Sequence, residues 1–300
     1  MTEEKKPIIH KSVLVKEVLH YLDIKPGGLY LDATFGSGGH TRAILESEST
    51  CHVIAMDWDT KTIDTYGSEL LEEFPGRITF LWGNFSLVYK ILKKHKIGKL
   101  DGILADFGTS QMQIVEGSGF SVYRDTPLDM RMSTSHQKIT AAQIVNEASE
   151  EELREIFWRY GQERYTKQIA RAIVEDRVKK RFKTTKQLAE MIERIVPYNK
   201  KRKIHPATRV FQALRICVNK ELDNITSFMS ASIQLLKPGG RLVLISFHSL
   251  EDRLVKQFFA DRVQSGQVEL LTPKVVIAQK EEVEKNPSSR SAKLRAVKFL

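Results

Sequence analysis

The sequence predicts an α/β fold, a Rossmann-like doubly wound sheet interrupted by an all-helical insertion. Three observations carry this. Over the first 110 residues, short apolar runs of buried-strand length alternate with helix-sized amphipathic segments, the pattern of a parallel sheet with crossover helices on both faces. From about 115 to 215 the strand-like runs vanish and helical periodicity takes over. A plainly buried strand then returns at RLVLISF (241–247). The expected organisation is a discontinuous sheet domain, 1–114 with 216–300, and a helical domain, 115–215.

In order along the chain, Val13 to Leu22 has its apolar residues near one helical face, and Pro26-Gly27-Gly28 is a turn. The first four strands are expected at 29–33, 52–57, 77–82 and 100–107, with helices at 40–47, 59–72 and 86–96 between them. In the insertion, Ser149 with Glu152 makes a capping box for a helix that Gly161 could close. A longer helix is expected from about Glu163 to Phe182, and Thr184 with Gln187 offers a further cap. Helical pattern resumes near Pro206 and runs to Leu236, with a break near Asp223. After Pro238-Gly239-Gly240 and the strand at 241–247 come a helix from about Leu250 to Val263 and two strands, 274–278 and 294–299.

Composition narrows the function classes. No apolar run reaches the roughly 18 residues of a membrane helix, and MTEEKKPIIHKS lacks the apolar stretch of a signal peptide. The two cysteines, Cys51 and Cys217, have no Cys or His at ligand spacing, so neither a disulfide framework nor a metal site is expected and a reducing cytoplasm fits. Net charge is +10, and residues 164–220 alone hold 17 basic and 4 acidic side chains. A surplus confined to one block points to a polyanion partner rather than to general solubility. Lys200, Lys201, Arg202 and Lys203 are its densest run and the candidate nucleic-acid contacts.

The most specific feature is LYLDATFGSGGH (29–40), a strand ending in Asp32 and leading through Gly36, Gly38 and Gly39 into a helix. Glycines let the backbone turn sharply and approach a nucleotide. An acid at that strand end would repel a pyrophosphate but suits a cationic sulfonium bearing an amino group. Thr41 stands where a third glycine would complete a dinucleotide fingerprint, and no phosphate loop with G-x-x-x-x-G-K-[ST] exists. Asp57 ends the second strand, 19 residues after Gly38, the place for an acid that accepts ribose hydroxyls. Together these features imply S-adenosylmethionine and hence a methyltransferase.

On the substrate side, the fourth strand delivers Asp106 to the sheet rim and the later strand delivers His248. PLDMRM (127–132) sets Asp129 beside Arg131, either as an ion-pair turn or as part of a substrate pocket. An exocyclic amine needs an acceptor for its proton, and the order of candidates is Asp129, Asp106, His248. The chain contains neither the Pro-Pro of DNA amino-methyltransferases nor a Pro-Cys pair, which counts against DNA amino-methylation and against attack on cytosine carbon. The competing reading is an RNA-binding assembly protein without catalysis.

The strings HKSVLVKEVL, DATFGSGGH, DGILADFGTS, GFSVYRDTPLDMRM, YGQERYTKQIARAI, HPATRVFQALRICVN, KPGGRLVLISFHSLEDRLVK and NPSSRSAKLR closely resemble the ribosomal RNA small subunit methyltransferase H family, from about His10 to Arg295. The resemblance implies N4-methylation of one cytidine in the decoding region (the P site) of 16S rRNA within the small subunit, in the cytoplasm. It further implies a cofactor held by Gly38, Gly39, His40, Asp57, Phe85, Asp106 and Gln113. Departures exist: Gln111, Met112 and Val115 depart from the family's S-S-P-Q-L-D, Ser133 replaces an Asp, and Ala33 replaces a Gly. The sequence sets no oligomeric state, and a homodimer is the one assembly considered.

Overall fold

The computed structural model describes residues 11–108, 118–134, 137–197 and 204–300. They form two compact units, one of residues 1–108 and 222–300, the other of 109–221.

The first unit is built on an eight-stranded sheet. Its strands are β1 (Leu29–Asp32), β2 (His52–Asp57), β3 (Ile78–Trp82), β4 (Leu100–Asp106), β5 (Leu236–Ser246), β6 (Val268–Leu270), β7 (Val276–Ile277) and β8 (Lys293–Phe299). The order is β3-β2-β1-β4-β5-β8-β6, with β7 also on β8. β1 to β5 are mutually parallel, and β8 runs antiparallel to β5, β6 and β7. Side chains alternate across the pleat. Leu31, Ile54, Ile103, Ala105, Leu242 and Leu244 join one core, while Tyr30, Val53, Ala55, Leu104, Val243 and Ile245 join the other. The first core is closed by α4 (Val88–Lys94), α10 (Glu221–Leu235) and α11 (Ser249–Gln264), through Val88, Leu92, Ile225, Phe228, Val255 and Phe259. The second is closed by α1 (Val15–Leu22), α2 (Gly39–Ser47) and α3 (Thr60–Glu73), through Val18, Leu22, Ile44, Leu45 and Leu70. Each such side chain contributes about 1.5–3 kcal/mol on burial. The chain leaves β1 in one direction to β2 and β3, then crosses to β4 on the other side. The gap between β1 and β4 is therefore the topological switch point where such sheets open a ligand crevice.

The second unit is helical: α5 (Ala141–Glu147), α6 (Glu150–Gly161), α7 (Thr166–Lys179), α8 (Thr185–Glu193) and α9 (Thr208–Asn219). Capping boxes start α5 (Thr140 with Gln143), α6 (Ser149 with Glu152) and α8 (Thr184 with Gln187). The core comprises Leu153, Phe157, Ile169, Ile173, Leu188, Ile192, Val210 and Leu214, among others.

Several boundaries differ from expectation for identifiable reasons. The helix expected from Glu163 begins at Thr166, because the Glu163 carboxylate accepts from the N–H groups of Arg164 (2.7 Å) and Tyr165 (2.9 Å). The long run to Leu236 breaks at Lys220, left-handed at φ 51°, not at Asp223. The segment 86–96 splits into a 3-10 turn, Phe85–Leu87, and α4. β6 was not expected, and the strand read at 274–278 contracts to Val276–Ile277. A last helix, α12 (Lys280–Lys285), was also missed.

Candidate active site: the cofactor crevice

At the switch point three acids end three neighbouring strands: Asp32 on β1, Asp57 on β2 and Asp106 on β4. They have different tasks. Asp32 is fully buried, and its oxygens accept from Thr34 N–H (3.2 Å) and the Thr41 hydroxyl (2.8 Å). Burial pushes its pKa up, opposed by the nearby His40 and these hydrogen bonds. Asp32 thus shapes the loop from within. Gly38 caps α2 at φ 79°, where a side chain would be strained, and a Cβ would lie 2.7 Å from Leu70 Cδ1.

Asp57 presents a prepared carboxylate. Oδ2 accepts from Gly36 N–H (2.9 Å) and Oδ1 from Asp59 N–H (3.0 Å), leaving each oxygen a lone pair. Burial raises its pKa to about 6, against the pull of those two N–H groups. Beside it, the partly exposed rings of Trp58 and Phe85 lie 6.5 Å apart between centroids at 37°. Phe85 rests on Phe107 (5.8 Å) and edge-on to Phe228 (5.5 Å), an apolar wall suited to a flat base.

Deeper in, His40 on α2 is 4 % exposed and its Nε2 lies 3.7 Å from Asp106 Oδ2. Both ring nitrogens of His40 and Oδ1 of Asp106 are buried without a hydrogen-bond partner among the described residues. Unsatisfied buried polar atoms are costly, so this cluster fits a ligand that brings its own donors and acceptors. The adjacent Thr34 fixes the crevice, because its hydroxyl accepts from Asp106 N–H (2.7 Å) and so links β1 to β4.

The remaining candidates fare differently. His248 caps α11: its Nδ1 accepts from Glu251 N–H (3.4 Å), and the buried Glu251 carboxylate accepts from Phe247 and His248 N–H (2.8 and 3.2 Å). The cap commits Nδ1, while Nε2 is buried without a hydrogen-bond partner among the described residues, so Nε2 is the ring atom left for a role as proton acceptor. In the second unit, Asp129 is held by Arg131 through two contacts, Nε to Oδ1 (2.6 Å) and Nη2 to Oδ2 (2.8 Å). Burial alone would raise its pKa, but the hydrogen bonds and charge of Arg131 hold it below the usual carboxylate range. The turn is fixed by Met130 at φ 63° and by buried Asn219, which bonds Met130 O (2.8 Å) and Met132 N–H (2.9 Å). PLDMRM thus contains the ion-pair turn that was one of its two readings from sequence. Gln113 and Lys200, Lys201, Arg202 and Lys203 lie outside the described residues. Elsewhere in the basic block some charges serve the fold: Arg177 bonds Val145 O and Ala148 O, Arg181 pairs with Glu147, and Arg194 with Asp176.

Sequence reasoning missed Trp58, Thr34 and Thr41. Trp58 could have been found as the aromatic next to the ribose acid. Nothing in the sequence singles out the two threonines.

With this crevice in view, the comparison with known families is decisive: residues 7–300 match the MraW methylase family. The chain belongs to that family. As a methylase it takes its methyl group from S-adenosylmethionine. Among its relatives is the ribosomal RNA small subunit methyltransferase H of Ehrlichia chaffeensis, 45% identical over 296 residues, covering 96% of this chain and 99% of that protein. The protein of the same name from Coprothermobacter proteolyticus is 46% identical over 294 residues, covering 97% and 96%. Among solved structures, TrmN from Thermus thermophilus aligns with 96% of this methylase and 48% of its own chain. Its TM-score of 0.46 and 15% identity are too distant a likeness to carry an argument. Among the methylase's described residues no helix is long and apolar enough to cross a membrane.

Proposed function

We propose that this methylase transfers a methyl group to N4 of a cytidine in the decoding region of 16S rRNA, within the small ribosomal subunit in the cytoplasm. The substrate follows from the names of relatives aligned over nearly the whole chain. The observation that carries the chemistry is the pair of unsatisfied buried groups, His40 and Asp106, at the switch point.

When bound, S-adenosylmethionine supplies an electrophilic methyl group on a sulfonium. Asp57 would accept the ribose hydroxyls, Trp58 and Phe85 would wall the adenine, and Gly38, Gly39 and His40 would receive the amino-acid end. The cytosine amine is a weak nucleophile because its lone pair is delocalised into the ring. It must be splayed from its stack, aligned, and relieved of a proton as the bond forms. Asp106 is suited to this, since Oδ2 faces His40 while Oδ1 has no partner among the described residues. The basic helical unit, with Lys200, Lys201, Arg202 and Lys203, binds the rRNA phosphates.

The direct test transfers labelled methyl groups to small subunits from a strain lacking the enzyme, followed by nucleoside analysis. N4-methylcytidine is expected; label in another nucleoside, or none, overturns the proposal. For the acceptor, Asp106→Asn should slow single-turnover methylation by about 10²-fold or more, and Asp129→Asn far less. A wild-type rate in folded Asp106→Asn rejects the role.

A further inference from the structure

The positive charge of the second unit leaves a separate basic surface on the sheet unit. Between Glu73 and Asp101 the chain has no Asp or Glu, yet it carries Lys90, Lys93, Lys94, Lys96 and Lys99. Helix α4 lies in this stretch and buries Val88 and Leu92 against the sheet. At 100° per residue its opposite arc holds Tyr89, Lys93, Lys90 and Lys94 in succession, all exposed. Lys90, Lys93, Lys94 and Lys96 have no ion-pair partner among the described residues. Some exposed helical cations elsewhere have one, as in Arg171–Glu175, Lys186–Glu190 and Lys280–Glu284, and others, such as Lys167 and Lys256, do not. What sets the α4 face apart is three such lysines within one short helix in a stretch of chain without a single acid.

An exposed aromatic accompanies the charge: Tyr89 is 41% exposed. Phe85, in the wall of the crevice, leads through the 3-10 turn Phe85–Leu87 directly into α4, so the helix that carries the lysine face starts beside the cofactor rim.

Unpaired lysines beside an exposed ring match a single-stranded nucleic acid, whose phosphates need cations and whose unstacked bases need flat partners. We propose that this surface, Lys90, Lys93 and Lys94 with Tyr89, is a second RNA-docking site that holds a single-stranded segment leading to the cofactor crevice. It rests on the reading of the substrate as RNA. Its occupant is defined by charge complementarity, a polyphosphate chain with accessible bases.

The test measures binding of the full-length protein to small ribosomal subunits from a strain lacking the enzyme, across a salt series. The triple variant Lys90→Gln, Lys93→Gln, Lys94→Gln should bind about tenfold or more weakly at physiological salt. The log–log salt slope should flatten by roughly 0.7 for each phosphate no longer neutralised, about 2 in all. Tyr89→Ala should weaken binding several-fold with the slope unchanged. A control triple, Lys274→Gln, Lys280→Gln, Lys285→Gln, removes the same charge from exposed positions elsewhere in the unit and should leave the slope alone. Calorimetric titration of S-adenosylmethionine verifies that each variant is folded. A wild-type slope in the α4 triple, or equal flattening in both triples, overturns the proposal. Wild-type protein that binds subunits but transfers no methyl group overturns the proposed function and leaves the α4 comparison decisive for the surface. Wild-type protein without measurable binding overturns both.

Discussion

Asp57 concentrates the residue-scale argument, because burial and function pull its carboxyl in opposite directions. Burial raises its pKa to about 6, whereas accepting ribose hydroxyls requires the carboxylate. Cofactor affinity should therefore hold steady above about pH 6 and fall below it, approaching tenfold per pH unit. Stability of the free protein moves the other way. With a folded pKa above the ordinary 3.8, the contribution of this group is full below about pH 4 and is lost as pH rises through 6. Asp57→Ala should weaken S-adenosylmethionine binding by about 1–3 kcal/mol and remove the acid inflection. Calorimetric titrations from pH 5 to 8 check both, and unchanged affinity in a folded variant rejects the assignment. Asp57 was legible because strand, loop and spacing fix its place before any coordinates exist. At Asp129 and His248 the sequence does not show whose hydrogen bonds each side chain already accepts. Arg131 engages both oxygens of the first, and the N-terminus of α11 occupies Nδ1 of the second.

At the scale of elements, the start of α11 joins two readings of His248, a helix cap through Nδ1 and a candidate proton acceptor through Nε2. His248→Ala should cost about 1 kcal/mol, the scale for losing an N-cap, and leave single-turnover methylation near the wild-type rate. Glu251→Ala should cost more, about 1–3 kcal/mol, because two half-buried N–H groups lose a charged acceptor. Thermal unfolding beside single-turnover kinetics separates the readings: a lost rate with an unchanged Tm for His248→Ala would favour the proton-acceptor reading. The strands that read well are those buried on both faces, whose apolar runs are unmistakable, as in β2, β4 and the end of β5. β6 was missed because three residues carry no period and their pairing with β8 is a tertiary fact. Helix starts with Ser or Thr followed by Glu or Gln three residues later were readable at α6 and α8.

At the scale of the whole molecule, charge is divided by task. Neutralising Lys200, Lys201, Arg202 and Lys203 together should weaken subunit binding and flatten its salt slope, with cofactor affinity intact. The slope should fall by roughly 0.7–0.9 for every phosphate these side chains neutralise in the wild type. An unchanged slope would return that run to a solvated loop. The two-unit division was foreseeable because periodicity switches from strand to helix and back. The exact hand-over residues were not, since helix α10 begins at the division itself.

That division also has a consequence for synthesis. β4 must pair with β5 in parallel register, yet the 129 residues between Asp106 and Leu236 are translated in the interval. At about 5–20 residues per second, β4 leaves the ribosome with an unpaired apolar edge for several seconds or longer. The intervening segment is helical and can form its hydrogen bonds locally in that interval, whereas the sheet cannot close before β5 and β8 arrive. Premature termination before β5 therefore leaves a sticky half-sheet, a natural client for chaperones and proteases. The nascent chain is most vulnerable to aggregation while its second half is still being made.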